Sequence, residues 1–287
     1  MGTLCVLYGS TTSGVSMQVQ DKVVVITGGA GGIGAALGKR FVAEGARAVV
    51  LADLDGPAAE AAAEAIGGPV RGVACDAGNL GSVAELVAGV EASEGPIDLF
   101  CSNAGIARGI NVDDDDAAWQ ANWDVNLMSQ VHAARVLLPG WLARGEGYLL
   151  VTASAAGLLT TLGDAAYAAT KHASVGLAEW LSITYGDRGV RVSCLCPQGV
   201  RTNMVYNEEG AGHIGLEQVK ALRIVEPDDL AESVVAGLAA ERFLILTHEE
   251  VAAYQKAKSK DVDGWIGAMR HMQADLLTKF PDQEYLR

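Results

Sequence analysis

The chain has 287 residues, of which 50% are hydrophobic and 20% charged, and its formal net charge is −14. This composition supplies enough apolar material for a sizeable core and excludes an intrinsically disordered chain. The acidic surplus would repel a phosphate backbone or an anionic lipid surface, so neither nucleic acid nor a membrane is an expected partner.

The beginning of the chain and its cysteines indicate a cytoplasmic protein. Residues 1–16 carry no Lys or Arg ahead of their apolar patch, which argues against a secretory signal, and we expect them to be an extension outside the fold. The sequence has no run of some 18 apolar residues, so no membrane-spanning helix is expected. The cysteines are odd in number and are interpreted as small buried side chains of a reduced protein. They are Cys5, Cys75, Cys101, Cys194 and Cys196.

From residue 22 onward, short Val/Ile/Leu-rich runs alternate with longer Ala-rich amphipathic stretches, which is the rhythm of βαβ units. Seven strands are predicted, at residues 22–27, 47–53, 70–75, 97–101, 148–153, 190–196 and 243–246. Helices are predicted between them, at 33–44, 57–66, 80–93, 117–138, 165–186 and 228–240. The fold class is therefore α/β, a Rossmann-type doubly wound seven-stranded parallel sheet with helices on both faces. We expect one such domain over 17–247, followed over 248–287 by amphipathic helices packed on the domain or on a neighbouring subunit.

The first predicted strand leads directly into TGGAGGIG, residues 27–34, which opens a helix. Glycines at such a junction let the backbone turn sharply and approach a pyrophosphate, which then lies on the positive helix N-terminus. The candidate cofactor-binding residues in this loop are Gly28, Gly32, Ile33 and Gly34.

Asp53 ends the second predicted strand, close to the ~20-residue offset from the glycine loop at which an acidic side chain meets the adenosine ribose. A carboxylate there accepts hydrogen bonds from the ribose hydroxyls and repels a 2′-phosphate, and no Lys or Arg occupies the glycine loop or residues 54–56. These residues favour NAD over NADP, the alternative for Asp53 being a helix N-cap. After the third strand, Asp76 is placed to accept from the adenine amino group.

Tyr167 and Lys171 stand four residues apart on a predicted helix, so both project from one face. A free phenol has a pKa near 10, too high for a general base at neutral pH, but a neighbouring ammonium and a cationic nicotinamide ring favour the phenolate. Ser154 ends the fifth predicted strand, where a parallel sheet places its ligand crevice, and could hydrogen-bond a substrate oxygen.

These ordered motifs resemble the classical short-chain dehydrogenase/reductase family over about residues 20–247. The matching pieces are TGGAGGIG (27–34), Asp76, NAG (103–105), Asn126, Ser154, the Tyr167 and Lys171 pair, and a Pro197/Thr202 segment. Two positions depart from the usual pattern, since Ser102 replaces the first Asn of an Asn-Asn-Ala-Gly motif and Gln198 replaces a Gly that usually follows the proline.

The resemblance implies a role for each matching residue. Tyr167 would be the acid/base, Lys171 the modulator of its pKa and a ligand of the nicotinamide ribose, Ser154 the substrate orienter and Asn126 the support of a water-linked proton relay. Further cofactor contacts would come from Asn103, Gly105, Pro197, Val200 and Thr202. The family also implies a homotetramer or homodimer with interfaces at the helices around 117–138 and 165–186.

Residues 203–223 are interpreted as a lid-like insert at the usual place for substrate selection. An apolar pocket without an Arg cluster is expected from Met204, Val205 and Tyr206 together with Leu158, Leu159 and Leu162. The predicted reaction is NAD-dependent oxidation of an uncharged hydrophobic secondary alcohol to its ketone. The alternatives are an NADPH-dependent carbonyl reductase and a non-catalytic NAD-binding redox sensor or scaffold. No metal site is expected, because the five histidines lack a close Cys/His ligand arrangement.

Overall fold

The computed structural model describes residues 17–109, 111–206, 218–219 and 222–279. Nine strands occur in this part of the chain: β1 (Val23–Thr27), β2 (Ala48–Asp53), β3 (Val70–Ala74), β4 (Leu99–Ser102), β5 (Gly147–Thr152), β6 (Val190–Leu195), β7 (Gly199–Val200), β8 (Ile224–Val225) and β9 (Leu244–Ile245). Seven of them form one sheet in the order β3-β2-β1-β4-β5-β6-β9, and every pair is parallel. The remaining two, β7 and β8, pair with each other. The predicted seven-stranded sheet is confirmed.

Helices cover both faces of the sheet. They are α1 (Gly32–Ala43), α2 (Gly56–Ile66), α3 (Leu80–Glu94), α4 (Asp116–Trp123), α5 (Ser129–Arg144), α6 (Ala156–Leu159), α7 (Ala165–Tyr185), α8 (Asn203–Tyr206), α9 (Pro227–Ala239), α10 (Glu249–Lys260) and α11 (Val262–Lys279). One core cluster joins the sheet to α3, α5 and α7, and a second joins the opposite face to α1 and α9. Because both faces are covered, the central strands are continuous apolar runs, and all five residues of β1 are buried.

The helix predicted at 117–138 differs from the observed one in two ways. A π-helical turn, Asp124–Met128, interrupts it between α4 and α5, and the helix runs on past Pro139 to Arg144. The π turn contains Asn126, whose side chain bonds both the N–H and the carbonyl of Ile106 in the loop after β4. A tertiary contact of this kind is invisible to a pattern of helical periodicity, and π turns of one extra residue are frequent at functional sites.

The two helices predicted after residue 247 are observed as α10 and α11, and Val251 of α10 is fully buried in the core cluster around α7. The four cysteines within the described ranges are buried and free, as predicted. The predicted extension 1–16, which contains Cys5, and residues 207–217 and 220–221 of the predicted lid lie outside the described residues. No helix of the described chain is both long enough and apolar enough to cross a membrane.

Candidate active site

The loop between β1 and α1 lies at the carboxyl end of the sheet and is shaped by its glycines. Gly28 has φ +64°, and a Cβ at Gly34 would lie 2.0 Å from the Gly28 carbonyl oxygen, so a larger residue fits at neither position. Helix α1 begins after Gly31, and no side chain caps its first turn. Its first amide groups are therefore available to an anionic ligand. Gly32 has φ +53°, and Ile33 is half-buried against the core cluster beneath the loop.

Asp53 lies beside this loop at the end of β2. Its carboxylate accepts hydrogen bonds from the backbone N–H of Ala30, at 3.0 Å, and of Asp55, at 3.2 Å. The alternative interpretation of Asp53 as a helix N-cap is wrong, because Asp55 caps α2 by accepting from the N–H of Ala58. The Asp53 carboxylate is thus fixed at the edge of the glycine loop.

The other predicted nucleotide contacts differ in how much of each side chain is available. Asp76 is exposed, and one of its carboxylate oxygens accepts from the N–H of Gly78 at 2.9 Å. Asn103 instead joins three strands, since its amide nitrogen donates to the carbonyls of Thr27 and Gly28 and its amide oxygen accepts from the Thr152 hydroxyl. The observed contacts of the Asn103 side chain therefore hold the glycine loop in place.

Tyr167 lies in the first turn of α7, and Asp164 caps this helix by accepting from the Tyr167 N–H at 3.0 Å. The phenol interacts electrostatically with the hydroxyl of Ser154, which follows β5. Burial raises the pKa of Tyr167 to about 12, and the interaction with the Ser154 hydroxyl opposes this rise. The Ser154 oxygen also accepts from the N–H of Ala156 at 3.1 Å. The structure therefore brings the predicted acid/base and the predicted substrate orienter together.

Lys171 lies one turn further along α7 and is 3% exposed. Its Nζ donates to the carbonyl of Thr152 at 3.0 Å and lies 5.5 Å from the centroid of the Tyr167 ring. Burial lowers the pKa of Lys171 to about 8. A Cβ at Gly105 would lie 3.3 Å from this Nζ and 3.4 Å from Oδ1 of Asn126, so the glycine leaves a space between the two side chains.

Asn126 is fully buried, and the contacts of its backbone carbonyl were not predicted from the sequence. This carbonyl accepts from Gln130 Nε2 at 2.7 Å and from the Ser174 hydroxyl at 2.9 Å. Gln130 Nε2 also donates to the Ser174 hydroxyl at 3.0 Å. The available signal was the placement of polar Gln130 and Ser174 among apolar neighbours on two amphipathic helices. These two residues join α5 to α7 beside the backbone of Asn126.

The segment from Pro197 to Thr202 closes the side of the site opposite the glycine loop. The Pro197 carbonyl accepts from the N–H of Ala155 at 2.7 Å, and Val200 pairs with Val225 between β7 and β8. The methyl group of Thr202 lies 3.0 Å from the position that a Cβ at Gly32 would occupy. Thr202 and the glycine loop therefore face each other across a narrow gap.

Gln198, the departure from the family pattern, lies within this segment. Its side-chain Oε1 is buried and has no hydrogen-bond partner among the described residues.

Of the six predicted pocket residues, four are buried and two exposed. The buried ones are Leu158, Leu159, Leu162 and Val205, and the exposed ones are Met204 and Tyr206. Over the described ranges, no cluster of three or more His, Cys, Asp or Glu could hold a metal ion.

Known proteins are similar to this chain in sequence. A protein-family model described as short chain dehydrogenase matches residues 22–211. The chain is 38% identical over 208 residues to the sex determination protein tasselseed-2 of Zea mays, a match that covers 68% of this chain and 60% of that protein. It is 33% identical over 245 residues to a 1-deoxy-11-beta-hydroxypentalenate dehydrogenase of Streptomyces avermitilis, which covers 82% and 87% of the two chains.

Solved structures share the fold as well. A short-chain dehydrogenase/reductase from Burkholderia phymatum in complex with NAD has a TM-score of 0.79 and 28% sequence identity to this chain. The match covers 86% of this chain and 96% of that one.

Proposed function

Because the chain belongs to the short-chain dehydrogenase/reductase family, we propose that it is an NAD-dependent oxidoreductase that interconverts a hydrophobic secondary alcohol and its ketone. The observation that carries this proposal is the buried ammonium of Lys171, which lies 5.5 Å from the centroid of the Tyr167 ring, while the Tyr167 phenol interacts with the Ser154 hydroxyl. A protein that only binds a dinucleotide has no need of this arrangement.

The residues at the carboxyl end of the sheet fit a dinucleotide. The uncapped N-terminus of α1 suits a pyrophosphate, and the closely packed Gly28 and Gly34 let the backbone approach it. We assign Asp53 to the adenosine ribose, Asp76 to the adenine, and Pro197, Val200 and Thr202 to the nicotinamide carboxamide. When bound, the nicotinamide ring accepts or supplies the hydride.

In this mechanism, Ser154 donates a hydrogen bond to the substrate oxygen and orients the reacting carbon. The Tyr167 phenolate takes the hydroxyl proton of the alcohol during oxidation, and the Tyr167 phenol returns it during ketone reduction. The Lys171 ammonium stabilises the phenolate, offsetting the burial that raises the pKa of Tyr167. Asn126 and Gly105 keep open the space through which the lysine would exchange its proton with solvent.

The choice of NAD over NADP rests on the charge around Asp53. A 2′-phosphate bound beside this carboxylate would meet a like charge, and the neighbouring Leu54 and Asp55 supply no cation. The relative from Burkholderia phymatum was solved with NAD, which supports the same choice. An NADPH-dependent carbonyl reductase is the alternative, and saturation by NADPH at lower concentration than NADH would favour it.

The apolar residues near Ser154 support an uncharged substrate. Leu158, Leu159 and Leu162 follow Ser154 in the chain and are buried, and Val205 of α8 is buried as well. None of these side chains could pair with a carboxylate or a phosphate. We therefore propose a hydrophobic secondary alcohol as substrate and oxidation as the direction of reaction. The four buried free thiols are typical of a reducing compartment, so we place the enzyme in the cytoplasm.

The test is NADH formation from NAD and a panel of hydrophobic secondary alcohols, with NADP in parallel and the Tyr167→Phe protein as blank. We expect turnover that requires both NAD and Tyr167. Binding of NADH, measured by its fluorescence, should survive in Tyr167→Phe. Binding without turnover in either protein would instead support the non-catalytic sensor.

We also propose a homotetramer or homodimer, which the outer face of α7 supports. Trp180 and Ile183 on this face are 54% and 84% exposed, which is unusual for large apolar side chains that lie close together on one helix. Sedimentation velocity would show a smaller species for Ile183→Lys, whereas Ile266→Lys on α11 serves as the control at another exposed isoleucine. An unchanged sedimentation coefficient in Ile183→Lys would contradict this interface.

A further inference from the structure

The two helices after β9 lie against the short helix α6, which begins two residues after Ser154. Leu158 and Leu159 of α6 belong to the same core cluster as Val251 of α10, and Trp265 of α11 packs against that cluster. The C-terminal helices are therefore built into the part of the core that carries the candidate catalytic side chains.

Two side chains of the C-terminal helices satisfy the backbone at the end of α6. The helix stops at Leu159 because Thr160 has φ +78°, so the last carbonyls lack helical partners. The Lys258 ammonium donates to the Leu158 carbonyl at 2.7 Å, and the Trp265 indole N–H donates to the Leu159 carbonyl at 3.3 Å. A cation at a helix C-terminus is favourable, and here it is Lys258, a hundred positions further along the chain.

The other side of α6 contacts the catalytic helix. A Cβ at Gly157 would lie 2.4 Å from the carbonyl oxygen of Lys171, so α6 and α7 are in direct backbone contact. The first N–H of α6, that of Ala156, donates to the Ser154 hydroxyl. A shift of α6 would therefore move Ser154 and press on α7, because interiors packed this closely do not absorb displacement.

A third contact connects the same region to the predicted lid. Gln218 Oε1 accepts from the N–H of Leu162 at 3.1 Å, and Gln218 Nε2 donates to the sulfur of Met272 at 3.6 Å. Leu162 also packs with Leu276 in a small separate apolar cluster. Residues from α11, from the segment after α6 and from the region between α8 and β8 thus meet beside the proposed substrate pocket.

We propose that Lys258 and Trp265 are positioning residues that determine substrate specificity by holding residues 155–162 in place. In this proposal, Leu158 and Leu159 form the apolar wall that accepts a bulky hydrophobic alcohol, and the C-terminal helices fix the distance of this wall from Ser154. The inference rests on the proposed function, since it assigns the element that shapes the substrate side of that site.

The test compares Lys258→Met and Trp265→Phe with Lys256→Met. The first two substitutions remove one hydrogen-bond donor each and keep the bulk of the side chain, and Lys256 is an exposed lysine on the same helix. Hydrogen–deuterium exchange of the full chain reports on the backbone without any need for turnover. We expect faster exchange in peptides covering residues 155–163 for Lys258→Met and Trp265→Phe, and no change for Lys256→Met.

Kinetics then separate positioning from general stability. In Lys258→Met and Trp265→Phe, we expect the KM for cyclohexanol and larger cyclic alcohols to rise about tenfold. The KM for 2-propanol and the dissociation constant of NADH should change little. Unchanged exchange, or faster exchange with an unchanged order of substrate preference, would overturn the inference. If the wild-type protein oxidises no alcohol, the proposed function fails and the specificity role fails with it. The exchange result still decides whether these donors order residues 155–162.

Discussion

The ammonium of Lys171 lies 5.5 Å from the centroid of the Tyr167 ring, and both side chains project from the same face of α7. Both groups are buried, and burial disfavours the charged form of each. It raises the pKa of Tyr167 to about 12 and lowers the pKa of Lys171 to about 8. Their opposite charges compensate when a phenolate forms beside an ammonium. In the proposed mechanism, the pair therefore functions as one proton-transfer unit, and neither residue is suited to the task alone.

A Lys171→Met variant tests this coupling. Oxidation of alcohol requires the phenolate, so kcat/KM should rise with pH in the wild-type protein. Without the ammonium, the pKa of Tyr167 stays high, and we expect this rise to move to higher pH and kcat/KM at neutral pH to fall on the order of 100-fold. The measurement is a pH profile of kcat/KM at saturating NAD, with the NADH dissociation constant determined separately. A profile that keeps its wild-type position would contradict the role of Lys171.

Asp53→Asn tests the basis of cofactor choice. The substitution removes the negative charge that would repel a 2′-phosphate, so we expect the ratio of kcat/KM for NAD to that for NADP to fall about tenfold or more. Asp55→Asn is the matched control, because it neutralises a carboxylate two residues away while asparagine remains a good N-cap of α2. Equal ratios in the two variants would show that the position of Asp53 does not set the preference.

The fold could be predicted because each element has its own local signal. Seven apolar runs of strand length, separated by helical periodicity, lead to a doubly wound parallel sheet, and the i, i+4 spacing of Tyr167 and Lys171 places both on one helix face. Contacts between distant residues have no such signal. Gln130 and Ser174 are 44 positions apart, and the bond from Lys258 to the Leu158 carbonyl spans 100 positions. Asp53 and Asp55 have the same side chain, and only the loop conformation decides that Asp55 caps α2.

Asp164 predicts how stability should depend on pH. Burial raises the pKa of this carboxyl to about 7, well above its value in an unfolded chain. Between about pH 4 and 7 the folded state holds a proton that the unfolded state has lost, so the free energy of unfolding falls as pH rises, by at most about 1.4 kcal/mol per pH unit. Above pH 7 this contribution levels off.

Asp164→Asn should abolish this slope and keep the cap on α7, because asparagine is also a good N-cap. Urea unfolding at several values between pH 4.5 and 8 measures the effect, with Asp55→Asn as the control at a solvent-exposed cap. We expect the two variants to differ most above pH 7, where wild-type Asp164 is ionised in a half-buried position. An identical pH dependence in Asp164→Asn and wild-type protein would rule out the assigned titration.

Gly105→Ala tests whether the space between Lys171 and Asn126 is used in catalysis. The added methyl group would lie 3.3 Å from Lys171 Nζ and 3.4 Å from Asn126 Oδ1, so it fits with small shifts but fills the space. Gly105 needs no left-handed backbone, and the melting temperature should change little. We expect kcat to fall about tenfold or more, since the lysine is displaced from the tyrosine and cut off from proton exchange.

Gly140→Ala provides the control for Gly105→Ala, because a Cβ at this exposed position of α5 meets no atom within 4 Å. It should leave kcat unchanged and leave stability equal or slightly raised, since alanine is the better helix former. Steady-state kinetics and thermal unfolding of both variants complete the comparison. A normal kcat in Gly105→Ala would mean that Lys171 acts on Tyr167 by charge alone, and that Asn126 serves only to anchor the loop after β4 through its two hydrogen bonds to Ile106.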